Sequence, residues 1–186
     1  ALIYSYNYIP SGTATTIHFL YPVLVAFLMI IFYKEKTSVK LIITALVSLV
    51  GVGFLSWTDE GFMNVKGLLI AFSTAVTYAI YIAGLNQKGI NTTDSKVITF
   101  YIMTFGAVFL GLFCLFTTGI DTISGSKSWI NLSLLAMVPT VISNIALVQA
   151  VKYAGATTTS ILGSAEPVTA ILVGIFLFSE NFTIYS

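Results

Sequence analysis

Arginine is missing from this chain altogether, and cysteine and histidine occur once each in 186 residues. Without arginine, eight lysines scattered along the sequence supply every positive side chain. No basic face forms to neutralise a nucleic-acid backbone, whose binding scales with the phosphates contacted, so nucleic acid is excluded as a partner. Cys114 sits inside an apolar run with no second cysteine to pair with, which leaves it a small hydrophobe. Charge of either sign is scarce: 8% of residues are charged, against roughly 25% in soluble domains. With 57% hydrophobic residues and a mean hydropathy of +0.96, the chain cannot clothe a water-soluble globule, and a soluble enzyme is excluded with it. No phosphate-cradling GxxxxGK[ST] occurs, which removes a nucleotide-driven engine, and no GxSxG nucleophile elbow occurs. The chain opens on Ala1 with no charged n-region before its first apolar stretch, so the reading expects no signal peptide and a piece of something longer.

What the chain has instead is long uncharged runs. Crossing about 30 Å of hydrocarbon takes about 20 residues at the helical rise. Six runs approach that length: Thr13–Tyr33, Leu41–Trp57, Gly67–Gln87, Val97–Thr118, Ile130–Val151 and Thr157–Phe178. Glu166 is the only charge inside any of them. Ala1–Ile9 is too short to span and reads as the tail of a further helix. Between the runs lie short polar connectors, and lysine favours the cytoplasmic side of a membrane. Alternate connectors hold six lysines (Lys34, Lys36, Lys40, Lys88, Lys96, Lys152) against two (Lys66, Lys127). That places 34–40, 88–96 and 152–156 in the cytoplasm. Trp57, Trp129 and Tyr33 fall at the ends of runs, where amphipathic rings favour the headgroup level.

The chain also repeats itself. Displaced by 145 residues, Ala1, Leu2, Tyr8 and Thr13 fall on Ala146, Leu147, Tyr153 and Thr158, and Pro22, Val23, Ile30 and Glu35 on Pro167, Val168, Ile175 and Glu180. Each copy runs through a small, threonine-rich stretch, a proline, twelve mostly apolar residues and a glutamate. The second copy's run comes five spans after the first's, so they cross the membrane in opposite directions, and the duplication is inverted. Two inverted copies of five helices make ten, related by a pseudo-two-fold axis in the membrane plane. On that register about 78 residues are expected before Ala1 and about one helix after Ser186, in a native chain of roughly 280 to 300 residues.

Leu20, Tyr21, Pro22, Val23 through Lys34 and Glu35, with Ala165, Glu166, Pro167, Val168 through Ser179 and Glu180, resemble the drug/metabolite transporter superfamily, and within it the EamA type. The likeness covers essentially the whole chain. It implies an all-α integral membrane protein, a bundle of transmembrane helices from two inverted five-helix repeats, here truncated at both ends. Residues 1–57 would be the end of the first repeat, 58–66 an extracytoplasmic connector, and 67–186 the second repeat without its last helix. It further implies a secondary transporter, an exporter or permease, that moves small metabolites, amino acids or amphipathic compounds by alternating access, with no cofactor. Members that recognise phosphate are expected to place basic side chains in their cavity. This chain has no arginine and no lysine in mid-span, which argues against sugar phosphates and nucleotide sugars.

Glu166 is the first candidate for the transport pathway. A carboxylate ten residues into a span of about twenty-two costs several kcal/mol unless protonated, paired or facing water, which suits it to carry a proton or meet a cation. The structural reading is that it satisfies groups freed by Pro167 next to it. His18 lies one turn before Pro22 and can titrate near neutral pH, but no Cys, Asp or Glu stands near it in sequence, so no metal site is expected. Three hydroxyl stripes at helical spacing are candidates for a midplane cavity: Thr74, Thr77, Tyr78 and Tyr81; Thr140, Ser143 and Asn144 after Pro139; and Ser160, Gly163 and Ser164 before Pro167. Pro22, Pro139 and Pro167 are expected to kink their helices. The competing reading is that such hydroxyls bond their own helix and small residues permit close packing, as for Ala107 and Gly111. Glu35 and Glu180, where spans become turns, read as structural. A rhomboid-like intramembrane protease lacks its nucleophile motif, and a channel lacks a filter loop or charged ring. The lipid bilayer and a small-molecule substrate are the expected partners, with proton coupling through Glu166 and residence in the inner (plasma) membrane.

Overall fold

A computed structural model describes residues 2–36, 43, 47, 57–58, 61–62, 64–117, 119, 125–163 and 165–166. Among them, four helical stretches are long and apolar enough to cross a membrane: Ser11–Tyr33, Val65–Leu85, Ser95–Phe116 and Ser126–Ala154. These are the first, third, fourth and fifth runs expected from the sequence. The expected span Leu41–Trp57 lies almost wholly outside the described residues, as does the span from Pro167 onward. The described residues form two compact units, one drawn from 1–84 with 156–186 and the other from 85–155.

In the first unit, α1 (Leu2–Ser5) is a single turn, closed by the Ser5 hydroxyl donating to the Leu2 carbonyl at 2.6 Å. It packs on α2 (Ser11–His18). The apolar side of α2 supplies Ala14 and Ile17 to a core with Ile9, Leu20 and Ala71, flanked by Leu2 and Leu68. Leu68 and Ala71 belong to α4 (Val65–Leu85), which comes so close to the turn before α2 that only glycine fits at 67. A Cβ there would lie 2.7 Å from Tyr8 Cβ and 2.8 Å from Ile9 Cγ2.

Pro22 explains why the first span is two helices. It has no N–H to return to the His18 carbonyl, but a proline in the first turn of a helix gives up a donor that has no partner there anyway. The chain accordingly closes α2 at His18, turns through Phe19 and Leu20, and starts α3 (Tyr21–Tyr33) with Pro22 in its first turn. The expected kink at Pro22 is thus a stop and restart. Lys34 ends α3 in the left-handed region at φ 54°, and the Glu35 N–H returns to the Met29 carbonyl at 3.3 Å. That turn presents the Glu35 carboxylate to the start of α9 (Ala156–Gly163), where the Thr157 hydroxyl donates to it at 2.7 Å. Beyond that point α9 packs along α3. Ahead of α4, β1 (Trp57–Thr58) and β2 (Gly61–Phe62) pair antiparallel, Trp57 opposite Phe62 and Thr58 opposite Gly61.

The second unit holds α5 (Lys88–Asn91), α6 (Ser95–Phe116), α7 (Ser126–Leu135) and α8 (Ser143–Ala154). Asp94 caps α6, accepting the Lys96 N–H at 2.8 Å. Between α7 and α8 the helix widens into a π segment, Ala136–Ile142, around Pro139. Pro139 cannot donate to the Leu135 carbonyl, and the Thr140 hydroxyl takes its place at 3.2 Å. The expected kink here is a π turn with its freed carbonyl satisfied by a side chain. Gly155 stops α8 at φ +84°, a conformation costly for any residue with a Cβ. Helices α6 and α8 pack together, with Ser95, Thr99, Val148 and Val151 buried, and Lys152 Nζ reaches the Thr93 carbonyl at 3.4 Å. Along α6, Phe105, Phe109, Phe113 and Phe116 stand exposed, and open space surrounds Gly106 and Gly111. Among the described residues no helix covers Gly111, where the sequence suggests a helix contact. A surface of this kind is at rest only in hydrocarbon or against another apolar helix.

Candidate functional site

The break before Pro22 sets the site. It brings His18 to the end of α2 and Tyr21 to the start of α3, while α4 presents Thr74, Tyr78 and Tyr81 at helical spacing. The three elements converge. Ring centroids of His18 and Tyr21 are 5.7 Å apart, of His18 and Tyr78 5.4 Å, and of Tyr21 and Tyr78 4.8 Å in an edge-to-face arrangement. Tyr81 follows at 6.0 Å from Tyr78. Tyr21 is 4% exposed, whereas His18, Tyr78 and Tyr81 are half-buried. From the other side, α9 closes on Tyr21 through Gly163: a Cβ at Gly163 would run into the Tyr21 hydroxyl.

One hydrogen-bond relay fixes the histidine. Thr74 Oγ1 donates its only proton to the Ala71 carbonyl at 2.6 Å and lies 3.0 Å from His18 Nδ1. A hydroxyl whose proton is committed can only accept from the ring, so Nδ1 carries the hydrogen, and in neutral His18 Nε2 keeps its lone pair.

Glu166 stands three residues beyond Gly163 and is exposed. Its carboxylate is close enough that its charge acts on His18, Tyr21 and Tyr78 alike. Four of the sequence candidates, Glu166, His18, Tyr78 and Tyr81, thus come together in one unit. Ser160, buried on α9, donates to the Thr157 carbonyl one turn back at 2.8 Å. Thr140 and Asn144 belong to the second unit, the first engaged by Leu135 and the second half-buried on α8. Ser164 and Pro167 lie outside the described residues. No cluster of three metal-ligating side chains occurs among the described residues.

Tyr21 is the residue that sequence reasoning undervalued. On the 145-residue register it falls on Glu166, each directly before a proline, and His18 falls on Gly163. In the fold the two positions sit at one cluster, and the repeat register was the signal that could have paired them.

A multi-helix membrane protein with a polar cluster at broken helices is the class defined so far. Compared with protein-family models, the chain matches the EamA-like transporter family over residues 1–57 and 65–186. It belongs to that family, whose members are membrane transporters of the drug/metabolite type. No curated protein and no solved structure matches it.

Proposed function

We propose that the protein is a secondary transporter that moves small metabolites, amino acids or amphipathic compounds by alternating access, and that Glu166 couples this movement to protons. The observation that carries the reading is the meeting of His18, Tyr21 and Tyr78 where α2 breaks from α3, with Glu166 three residues beyond the end of α9, which closes on Tyr21 through Gly163. Broken helices free backbone groups and place ionisable side chains at the depth where a solute must be held, which is how transporters of duplicated architecture build their sites. The inverted duplication is supported by the 145-residue register, and the division near 58–66 by the break in the family match at 58–64. A plasma-membrane location, with 34–40, 88–96 and 152–156 facing the cytoplasm, rests on the lysine asymmetry. The meetings of Glu35 with Thr157 and of Thr93 with Lys152 support the alternation of spans alone, each joining segments assigned to the same side.

The test is flux through the full-length protein in proteoliposomes, screening amino acids and other metabolites under an imposed proton gradient, beside Glu166→Gln. Gradient-driven flux is expected to vanish in the variant while exchange at saturating solute persists. Undiminished driven flux in a well-folded variant removes Glu166 from coupling, and no flux of any solute by the wild type removes the transporter reading.

A further inference from the structure

Helices α3 and α9 stand on opposite sides of the division near 58–66 in sequence, yet they pack along one seam. They run antiparallel, since Tyr21 at the start of α3 meets Gly163 at the end of α9 and Glu35 beyond α3 meets Thr157 at the start of α9. Along the seam α3 buries Val25, Ala26 and Met29, and α9 buries Ala156, Thr159 and Ser160, whose hydroxyl turns back to its own helix. The bond at the connector end is of another kind. There the Thr157 hydroxyl donates to the Glu35 carboxylate at 2.7 Å across 122 residues of sequence. A hydrogen bond to a charged acceptor is directional and is lost with about an ångström of movement, whereas apolar contacts slide.

The bond is also easy to break. Glu35 is exposed, and so are Lys34 and Lys36 on either side of it, so a carboxylate that leaves Thr157 passes to water and to lysine rather than into hydrocarbon. A bond of this kind biases an equilibrium severalfold without locking it. The 145-residue register then makes it one-sided. Glu180 falls on Glu35, but Gly12 falls on Thr157. The starts of α9 and α2 both offer a carboxylate the positive end of a helix, and α9 alone adds a hydroxyl at the matching position. Crowding does not account for the glycine, because a Cβ at Gly12 would meet nothing within 4 Å among the described residues.

We propose that Thr157 and Glu35 form a latch that holds α9 against α3 at the connector end of their seam and opens in each transport cycle. With no matching hydroxyl on α2, the protein without solute rests closed toward 34–40 and 152–156, the side assigned to the cytoplasm. The proposal rests on the transporter reading for the cycle and the side, and on the contact alone for the latch.

The test uses the full-length protein with Cys114→Ser as background. Ser160→Cys, buried one turn along α9 from Thr157, reports opening of the seam. In inside-out vesicles its reaction with a membrane-impermeant maleimide is expected to quicken about threefold or more when Thr157→Val is added, and to stay within about twofold with Thr157→Ser, which keeps the hydroxyl. Separately, Glu35→Cys and Thr157→Cys together are expected to be bridged by a short bis-methanethiosulfonate. Flux through the bridged protein in proteoliposomes is expected to stop and to return when reductant removes the bridge, while each single-cysteine protein keeps its flux through the same treatment. Size-exclusion profiles separate an opened seam from a lost fold, and the bridged pair carries the test if the valine variant does not fold. The proposal is overturned if the valine variant reacts at the rate of its parent, if the pair cannot be bridged, or if the bridged protein transports undiminished. Flux that persists through the bridge removes the latch and leaves the transporter reading standing. No flux of any solute by the wild type removes the transporter reading, and the maleimide rates then decide the latch by themselves.

Discussion

The relay from His18 through Thr74 to the Ala71 carbonyl assigns one proton to Nδ1 and one to Oγ1, and so it can be broken in a directed way. Thr74→Val keeps the shape but removes the acceptor, leaving a half-buried Nδ1–H without its partner, which costs about 1 to 3 kcal/mol. Thr74→Ser keeps both bonds. The valine variant is expected to melt at a lower temperature than wild type and the serine variant close to it. Nitrogen-15 NMR of histidine, which this chain contains once, is expected to show the Nδ1–H tautomer in wild type and the serine variant only. A valine variant with an unchanged tautomer would contradict the relay. Thr159 is the opposite case: 6% exposed on α9, its hydroxyl finds no hydrogen-bond partner among the described residues. Thr159→Val removes an orphaned polar group at constant shape and is expected to leave the melting temperature unchanged or raise it, by up to about 1 kcal/mol of stability. A clear loss of stability would show that the hydroxyl has a partner. The sequence makes His18 and Thr74 visible as polar residues on apolar helices but cannot pair them, because 56 residues separate them and only the packing of α2 on α4 closes that distance.

Helices were the legible part of the fold, since an uncharged run of about 20 residues has one low-energy answer in hydrocarbon, where every backbone group must be satisfied within its own segment. What each proline does to its helix was not legible. Pro22 and Pro139 both read as kinks, yet one ends a helix and restarts it while the other widens a turn, because the outcome depends on which neighbour can serve the orphaned carbonyl. At 139 the next residue is a threonine that reaches Leu135, and at 22 the following residue is an apolar valine. Packing between elements was equally hidden, and α4 offers the cleanest measurement of it. Gly67 and Gly84 lie near opposite ends of this helix, the first against Tyr8 and Ile9 and the second with nothing within 4 Å. Alanine is favoured over glycine in a helix by about 0.8 to 1 kcal/mol, so Gly84→Ala is expected to raise the melting temperature. Gly67→Ala gains the same propensity but forces backbone-proximal atoms apart, an overpacking cost of about 1 to 3 kcal/mol, and is expected to lower it. Equal shifts in the two variants would mean that α4 does not approach the turn at Tyr8 and Ile9.

At the scale of the whole molecule, lysine counts speak to orientation and packing speaks to which segments share a side, and a labelling experiment joins them. Composition assigns six lysines to one side and two to the other, a rule that acts during insertion and leaves no trace in the packing. Packing contributes contacts: Thr157 meets Glu35 in the first unit, and Lys152 meets Thr93 in the second, each joining two connectors that the alternation of spans puts on the same side. The exposed phenylalanine face of α6 argues that this surface lies in lipid or under further helices, and Cys114 lies in the last turn of that same helix, its carbonyl accepting the Thr117 and Gly119 N–H groups. Single cysteines introduced by Lys66→Cys and Lys127→Cys in a Cys114→Ser background are therefore expected to react with a membrane-impermeant maleimide added to intact cells. Cysteines introduced by Lys36→Cys, Lys96→Cys and Lys152→Cys are expected to react only after permeabilisation. Reversal of both sets would invert the topology and turn Glu35 and Thr157 to the outside, leaving the cluster at His18, Tyr21, Tyr78 and Glu166 intact. A mixture within either set would instead break the alternation of spans, and with it the inverted duplication proposed from the 145-residue register, on which Tyr21 falls on Glu166.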